Sequence, residues 1–190
     1  MIYRIKDNSD SYMISGFGSK QLLENYPNIS DVKMIMDQPY TNESLKPFWK
    51  LMDFSMHDGS SAQSGTRMPD IALWRSGLVL MPKALDYLQD YLAPHGEFLD
   101  ATCEGQPVSL FNCLTFVQEN MDETIIEYID GVAVGVEHLA FEEKEAANNF
   151  IFKSKLQHGQ FLYCTDDFKS LCEKYDLNGL RFDSDIMNIF

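Results

Sequence analysis

Hydrophobic residues follow the 3.6-residue spacing of a helix in two parts of the chain. In PKALDYLQDYLA, Leu85, Leu88 and Leu92 recur on one helical face after Pro82, a residue that suits the first position of a helix. Pro-His-Gly at 94–96 ends this pattern. A second helix is predicted over residues 166–175, with Thr165 as its cap and two acidic residues in its first turn. The chain therefore contains two amphipathic helices.

Short β-prone runs separated by turn residues predict that strands form much of the remainder. Residues 125–129 and 132–136 flank Asp130-Gly131, a two-residue turn signal, and form a predicted hairpin. The apolar run at 71–81 predicts one strand, or two strand pieces with a bend at Gly77. Residues 19–25 form at most two helical turns. The other predicted strands are residues 1–5, 12–17, 32–36, 48–54, 108–117, 150–153, 160–164 and 180–183.

The order of these elements predicts an α+β class: an antiparallel-rich sheet, two amphipathic helices and a smaller N-terminal β-rich part. The chain has 190 residues, which suits a single domain, 1–190. The polar stretch HDGSSAQSGT at 57–66 lacks periodicity and is a predicted loop. This loop could separate an N-terminal subdomain, 1–65, from a main body, 66–190.

Charge is distributed unevenly along the chain, which has a net charge of -14. Residues 1–95 hold 9 Lys/Arg and 11 Asp/Glu, whereas residues 96–190 hold 6 and 18. The stretch from Gly96 to Glu143 contains eleven carboxylates and no Lys or Arg. Such a chain repels nucleic acid and anionic membranes, since binding to either depends on Lys and Arg. The acidity suits a basic protein partner; solubility alone is the alternative explanation.

Cysteine and histidine spacing predicts neither a metal site nor a cofactor. Four cysteines at 103, 113, 164 and 172 form no C-x-x-C pair, and the four histidines lack ligand spacing. The N-terminal residues are too charged for a signal peptide, and no apolar run approaches the length of a membrane span. We therefore expect a cytoplasmic protein whose thiols are small apolar side chains.

Short motifs from Pro69 onward occur in an order that is similar to a known family. They are Pro69-Asp70, Pro82-Lys83-Ala84, Gly96-Glu97-Phe98-Leu99, Phe111-Asn112, Phe161, Asp167-Phe168-Lys169, Gly179-Leu180 and Phe182. In order and spacing, residues 69–183 resemble the immunity proteins of bacterial polymorphic toxin systems. This resemblance implies an α+β protein without catalytic residues, which neutralises a cognate toxin, often a nuclease, by binding it.

The acidic stretch supplies a mechanism for such binding, because carboxylates would steer the protein to the basic cleft of a nuclease. The predicted contact residues are Glu119, Asp122, Glu123, Glu127, Asp130 and Glu137. Two other functions stay open: a small enzyme with a pocket around His95, Glu97 and Cys103, and an adaptor for a partner that is not a toxin. The apolar C-terminus, residues 186–190, could pack on its own sheet or form a homodimer.

Overall fold

The computed structural model describes residues 1–16, 19–58 and 67–188. In this part of the chain, five α-helices lie between runs of strands. The helices are α1 (Ser19–Asn25), α2 (Ile29–Thr41), α3 (Pro82–Leu92), α4 (Glu143–Ala146) and α5 (Asp166–Lys174). The strands are β1 (Ile2–Asp7), β2 (Ile14–Gly16), β3 (Met52–His57), β4 (Ile71–Trp74), β5 (Gly77–Leu80), β6 (Gly96–Cys103), β7 (Gln106–Cys113), β8 (Ile125–Ile129), β9 (Val132–His138), β10 (Ile151–Phe152), β11 (Tyr163–Thr165) and β12 (Leu180–Asp183).

The described strands form three sheets. A four-stranded antiparallel sheet has the order β10-β11-β1-β12, and a six-stranded sheet has the order β2-β3-β6-β7-β5-β4. Within the larger sheet only the β3–β6 pair is parallel in the residues described. Strands β8 and β9 pair with each other alone. The predicted antiparallel-rich α+β class is therefore confirmed.

The six-stranded sheet is covered on both faces, because the alternating side chains of its central strands enter two different cores. Leu78 of β5 and Phe111 of β7 pack with α3, α5 and β1. Val79 and Leu110, the next residues along the same strands, pack with α1 and α2. A third cluster around Phe141 and its neighbours surrounds the base of the β8–β9 hairpin.

Residues 32–36, which local β-propensity assigns to a strand, lie inside α2, so this prediction is wrong. The helix contains Pro39, which has no N–H to donate to the carbonyl of Ile35. Arg75 replaces that donor, because its Nη1 lies 3.1 Å from the Ile35 carbonyl oxygen. Burial of Ile35 against the second core then stabilises a helix that the local sequence does not favour.

Strand β6 is absent from the sequence-based prediction, although it makes the longest pairing among the described strands. It pairs with β7 over eight residues, from Gly96↔Cys113 to Cys103↔Gln106. The predicted strand at 108–117 corresponds to β7, which begins and ends earlier. The run at 71–81 is a hairpin, because Arg75 and Ser76 form a turn between β4 and β5. The prediction of two strand pieces is therefore correct, and the two pieces pair antiparallel with each other.

Both predicted amphipathic helices are confirmed. Helix α3 begins at Pro82 and buries Ala84, Leu88 and Leu92, while α5 begins at Asp166. Thr165 precedes α5 in extended conformation, but its side chain makes no capping hydrogen bond. Its hydroxyl donates instead to the carbonyl of Asn149, which corrects the predicted cap.

Strands from the first 65 residues lie in both larger sheets beside strands from the rest of the chain. Strand β1 pairs with β11 and β12, and β3 pairs with β6. The predicted loop at 57–66 lies mostly outside the described residues. Near the C-terminus, Ile186 and Met187 pack against the third core; residues 189 and 190 fall outside the description. Among the described helices, none has the length and apolarity needed to cross a membrane.

Candidate partner-binding arm and the adjoining cleft

The β8–β9 hairpin, Ile125–His138, is exposed along most of its length, and we call it the arm. Asp130 and Gly131 both have positive φ (50° and 81°), the combination required by the tight type I′ turn that the sequence predicts. The register shifts twice, which leaves Val134 and Glu137 without cross-strand partners. Such bulges redirect side chains and increase the twist of a hairpin. Five large apolar residues of the arm are more than half exposed: Ile125, Tyr128, Ile129, Val132 and Val134.

Five of the six predicted contact carboxylates lie on the arm or in the turn that leads into it. Asp122 and Glu123 lie in the turn before β8, Glu127 lies on β8, Asp130 is in the hairpin turn, and Glu137 lies on β9. All five are exposed. Within the described residues, no Lys, Arg or His side chain forms a salt bridge with any of them. Their negative charge is therefore gathered in one region and left unpaired.

Glu119 does not belong to this exposed set, which corrects its prediction as a contact residue. It is only 7% exposed. Its Oε1 accepts hydrogen bonds from the Ser154 hydroxyl at 2.6 Å and from the Leu156 amide at 3.1 Å. A buried carboxylate needs such donors, because leaving it unpaired would be strongly unfavourable. Glu119 thus fixes the base of the arm to the loop that follows β10.

Backbone pairing between residues 118–124 and 140–142 closes the base of the arm. The Ala140 carbonyl accepts from the Asn120 amide, and the Thr124 hydroxyl both donates to and accepts from Ala140. The Glu142 amide donates to the Gln118 carbonyl at 3.0 Å. These contacts hold the two ends of the arm together, so the exposed hairpin extends from an ordered base.

A cleft of about 990 Å³ lies between the arm and the body of the protein. One wall is the body-facing side of the arm, and the opposite wall is the loop at 155–161 with the C-terminal end of α2. The residues lining it are Tyr40, Thr41, Asn42, Phe116, Ile126, Ala133, Val134, Gly135, Val136, Lys155, Leu156, Gln157, His158, Gln160 and Phe161. None of these residues is acidic, in contrast to the exposed surface of the arm.

The wall of the cleft opposite the arm is held close to α2 by a glycine and a buried lysine. Gly159 has a φ of +65°, and a Cβ there would lie 1.8 Å from the Pro39 carbonyl oxygen. The Lys153 ammonium donates to the same oxygen at 3.2 Å and lies 4.8 Å from the centre of the Phe116 ring. Burial lowers the pKa of Lys153 to about 8. Lys155 lies 5.8 Å from the centre of the same ring, but it is exposed.

The three residues of the alternative enzyme hypothesis have separate structural roles. Glu97 accepts hydrogen bonds from the Leu45 amide at 2.7 Å and from the Asn112 side chain at 2.8 Å. His95 accepts from the Phe150 amide through Nε2, and burial lowers its pKa. Cys103 is buried, which raises its pKa to about 11. Among the described residues, no hydrogen bond joins these three side chains.

Sequence reasoning missed the cleft, because its lining residues come from four segments that are distant along the chain. The strands of the arm carried a local signal, the Asp130-Gly131 turn, but nothing in the sequence indicated which segments pack beside them. Tyr40 and His158 lie with their ring centres 5.7 Å apart, a contact across 118 positions that no periodicity indicates. In the described chain, no three His, Cys, Asp or Glu side chains form a group that could hold a metal ion.

Comparison of the chain with protein-family models gave no matching family, and comparison with curated proteins gave no match. The resemblance to immunity proteins therefore stays a prediction from motifs.

Proposed function

We propose that this protein is an immunity protein that binds and neutralises a cognate bacterial toxin through the acidic surface of its arm. The observation that carries the proposal is the combination of unpaired carboxylates with exposed apolar side chains on one hairpin. Asp122, Glu123, Glu127, Asp130 and Glu137 lie within 16 residues that also hold the five exposed apolar residues of the arm. The motif resemblance supports the same class of function.

The two kinds of side chain suit different stages of binding. Exposed carboxylates attract a cationic partner over roughly one Debye length, about 8 Å at physiological salt, and so raise the association rate. Apolar anchors such as Tyr128 and Ile129 become buried in the complex and slow its dissociation. A nuclease toxin has a basic nucleic-acid cleft, which offers the opposite charge. The arm would occupy that cleft and exclude nucleic acid from it.

The experiment is a titration of this protein against the product of the neighbouring gene, at salt concentrations of about 0.01 M and about 0.15 M. The test variant combines Glu127→Gln, Asp130→Asn and Glu137→Gln, which removes three charges while nearly preserving side-chain shape. We expect its association rate constant at low salt to fall about tenfold or more, with a weaker salt dependence.

The matched control removes three exposed carboxylates elsewhere: Glu43→Gln, Asp86→Asn and Asp90→Asn. Its net charge equals that of the test variant, so the long-range attraction between this acidic protein and a cationic partner weakens equally in both. We expect the control to change the association rate less than about threefold. The proposal is wrong if the folded wild-type protein does not bind the product of the neighbouring gene at low salt. The arm is the wrong surface if the association rate constant falls as much in the control as in the test variant.

A further inference from the structure

The arm and the cleft beside it are complementary in charge and in polarity. The exposed side of the arm carries Glu127, Asp130 and Glu137 beside exposed aliphatic side chains. The cleft is lined by Lys155 and His158, the rings of three aromatic residues and no carboxylate of the described chain. We propose that the arm of one copy docks into the cleft of a second copy, so that two copies exchange arms around a two-fold axis.

The cleft does not hold the tip of its own arm. Ile126 and residues 133–136 line it, whereas Tyr128, Ile129 and Val132 lie outside its lining. These three side chains are 57–64% exposed. A hairpin cannot fold its tip back into a cleft that its own strands border, since β8 and β9 would have to reverse direction. If a hairpin tip occupies this cleft, it therefore belongs to a second molecule.

The proximity of the two surfaces makes the contact reciprocal. Because the arm borders the cleft within one copy, inserting the first arm brings the second arm to the first cleft. Glu127 would then approach Lys155 of the other copy in both halves of the interface. Tyr128 and Ile129 would contact the aromatic wall made by Tyr40, Phe116 and Phe161.

Other charged groups near the cleft modify this attraction without reversing it. Arg75 and Asp37 line an adjoining smaller cavity that shares Tyr40, His158, Gln160 and Phe161 with the cleft. One cation and one anion there nearly cancel at a distance. The net charge of -14 on each copy opposes association, and salt screens this long-range repulsion more than a direct contact. We therefore expect dimerisation to strengthen between low and physiological salt.

This inference is independent of the proposed function, because it concerns the protein alone. If both hold, self-association covers the same arm that binds the toxin, and the partner must compete with the second copy. The dimer would then be the stored form of the protein and the monomer its active form. If the protein does not bind a toxin, the dimer inference is unaffected, because the experiment below tests it separately.

The test is sedimentation equilibrium on the full chain at physiological salt, up to millimolar protein. The variants are Glu127→Lys, which reverses the charge on the arm without altering the turn, and Lys155→Glu, which reverses the charge in the cleft. Each variant alone places like charges at both contacts, so we expect its dimer dissociation constant to rise about tenfold or more. Circular dichroism and thermal unfolding verify that each variant is folded.

Mixing the two variants provides the decisive measurement. In the mixed dimer, Lys at 127 meets Glu at 155, and Glu127 of the second chain meets Lys155 of the first. Both contacts are restored, so an equimolar mixture is expected to dimerise about as tightly as the wild type. Asp86→Lys, on the exposed face of α3, is the control and should leave the wild-type equilibrium within about threefold.

Three results would overturn the inference. The first is a wild-type protein that stays monomeric up to millimolar concentration. The second is a dimer that persists in both single variants, which would place the interface elsewhere. The third is a mixture that stays as monomeric as its components, since arm exchange requires the paired reversals to compensate.

Discussion

Two hairpins of this protein have the same turn and opposite surroundings. In the β6–β7 hairpin, Glu104 and Gly105 have φ of 50° and 75°; in the arm, Asp130 and Gly131 have φ of 50° and 81°. Both lie in the stretch that lacks Lys and Arg. Yet β7 is buried over its last six residues, whereas most of β8 and β9 is exposed. Local turn chemistry therefore determines that a hairpin forms but not where it packs.

The carboxylates of the two hairpins differ as much as their apolar residues. In the β6–β7 hairpin, Glu97 binds the Leu45 amide, and Glu104 accepts from the Met56 amide at 2.9 Å. In the arm, the described structure shows no salt bridge to Glu127, Asp130 or Glu137. The embedded hairpin uses its negative charges to hold neighbouring backbone, whereas the arm leaves them available. One acidic stretch thus contains structural carboxylates followed by binding candidates.

The largest expected difference between the hairpins is in their contribution to stability. Phe111 of β7 is fully buried between two sheets, so Phe111→Ala removes a core side chain and leaves a cavity. We expect a loss of about 3–5 kcal/mol in the free energy of unfolding. Ile129→Ala in the arm, where the side chain is 57% exposed, should cost less than about 1 kcal/mol.

Urea denaturation of dilute samples measures both changes, because dilution keeps the protein monomeric. Equal losses for the two substitutions would break the comparison, since they would show that the arm supports the fold of the monomer.

The sequence contained the turn signals of the arm but could not show its exposure. Strand β6 had a readable signal, since Leu99, Ala101 and Cys103 alternate with exposed or partly exposed residues. The helical signal of α2 was weaker. The spacing of Val32, Ile35 and Met36 favours a helix, but Pro39 in the same segment disfavours one. Its stability depends on Arg75, a residue 40 positions away from Ile35, and no local pattern could indicate that contact.

The candidate site was also predictable only in part, because the sequence shows where charges lie along the chain but not which of them become buried. Charge counting located the acidic segment, and five of its six proposed residues are exposed on or beside the arm. It could not distinguish Glu119, whose burial depends on Ser154 and Leu156. Burial of a carboxylate is decided by donors that reach it in three dimensions, and those donors lie more than 30 residues along the chain.

The next expected difference between the hairpins, smaller than the difference in stability, is in the rate at which their thiols react. Burial raises the pKa of Cys103 and Cys113, both in the β6–β7 hairpin, to about 11 from an ordinary value of 9.0. At pH 8 their thiolate fraction is then about 100-fold below that of an ordinary thiol. A thiol introduced into the arm by Val132→Cys should react with a disulfide reagent at the ordinary rate. The native thiols should react at least about 100-fold more slowly.

Stopped-flow absorbance at micromolar protein follows the released chromophore and separates the two phases. Unfolding in guanidinium is the control, because it should make all five thiols of the variant equally reactive. Fast reaction of Cys103 or Cys113 in the folded wild type would show that the β6–β7 hairpin opens readily. That result would contradict the contrast between a buried β6–β7 hairpin and an exposed arm.

The smallest expected difference comes from the turns themselves. Gly105→Ala and Gly131→Ala both force a side chain into positive φ, at positions where a Cβ meets no atom within 4 Å. The strain is therefore the same, about 1 kcal/mol. In the embedded hairpin this strain should lower the free energy of global unfolding, because β6 and β7 form the centre of the larger sheet. In the arm it should instead increase local opening, seen as about fivefold faster amide hydrogen exchange in β8 and β9 with little change in global stability. If Gly131→Ala lowered global stability as much as Gly105→Ala, the arm would unfold together with the body, and it could not act as an independent binding element.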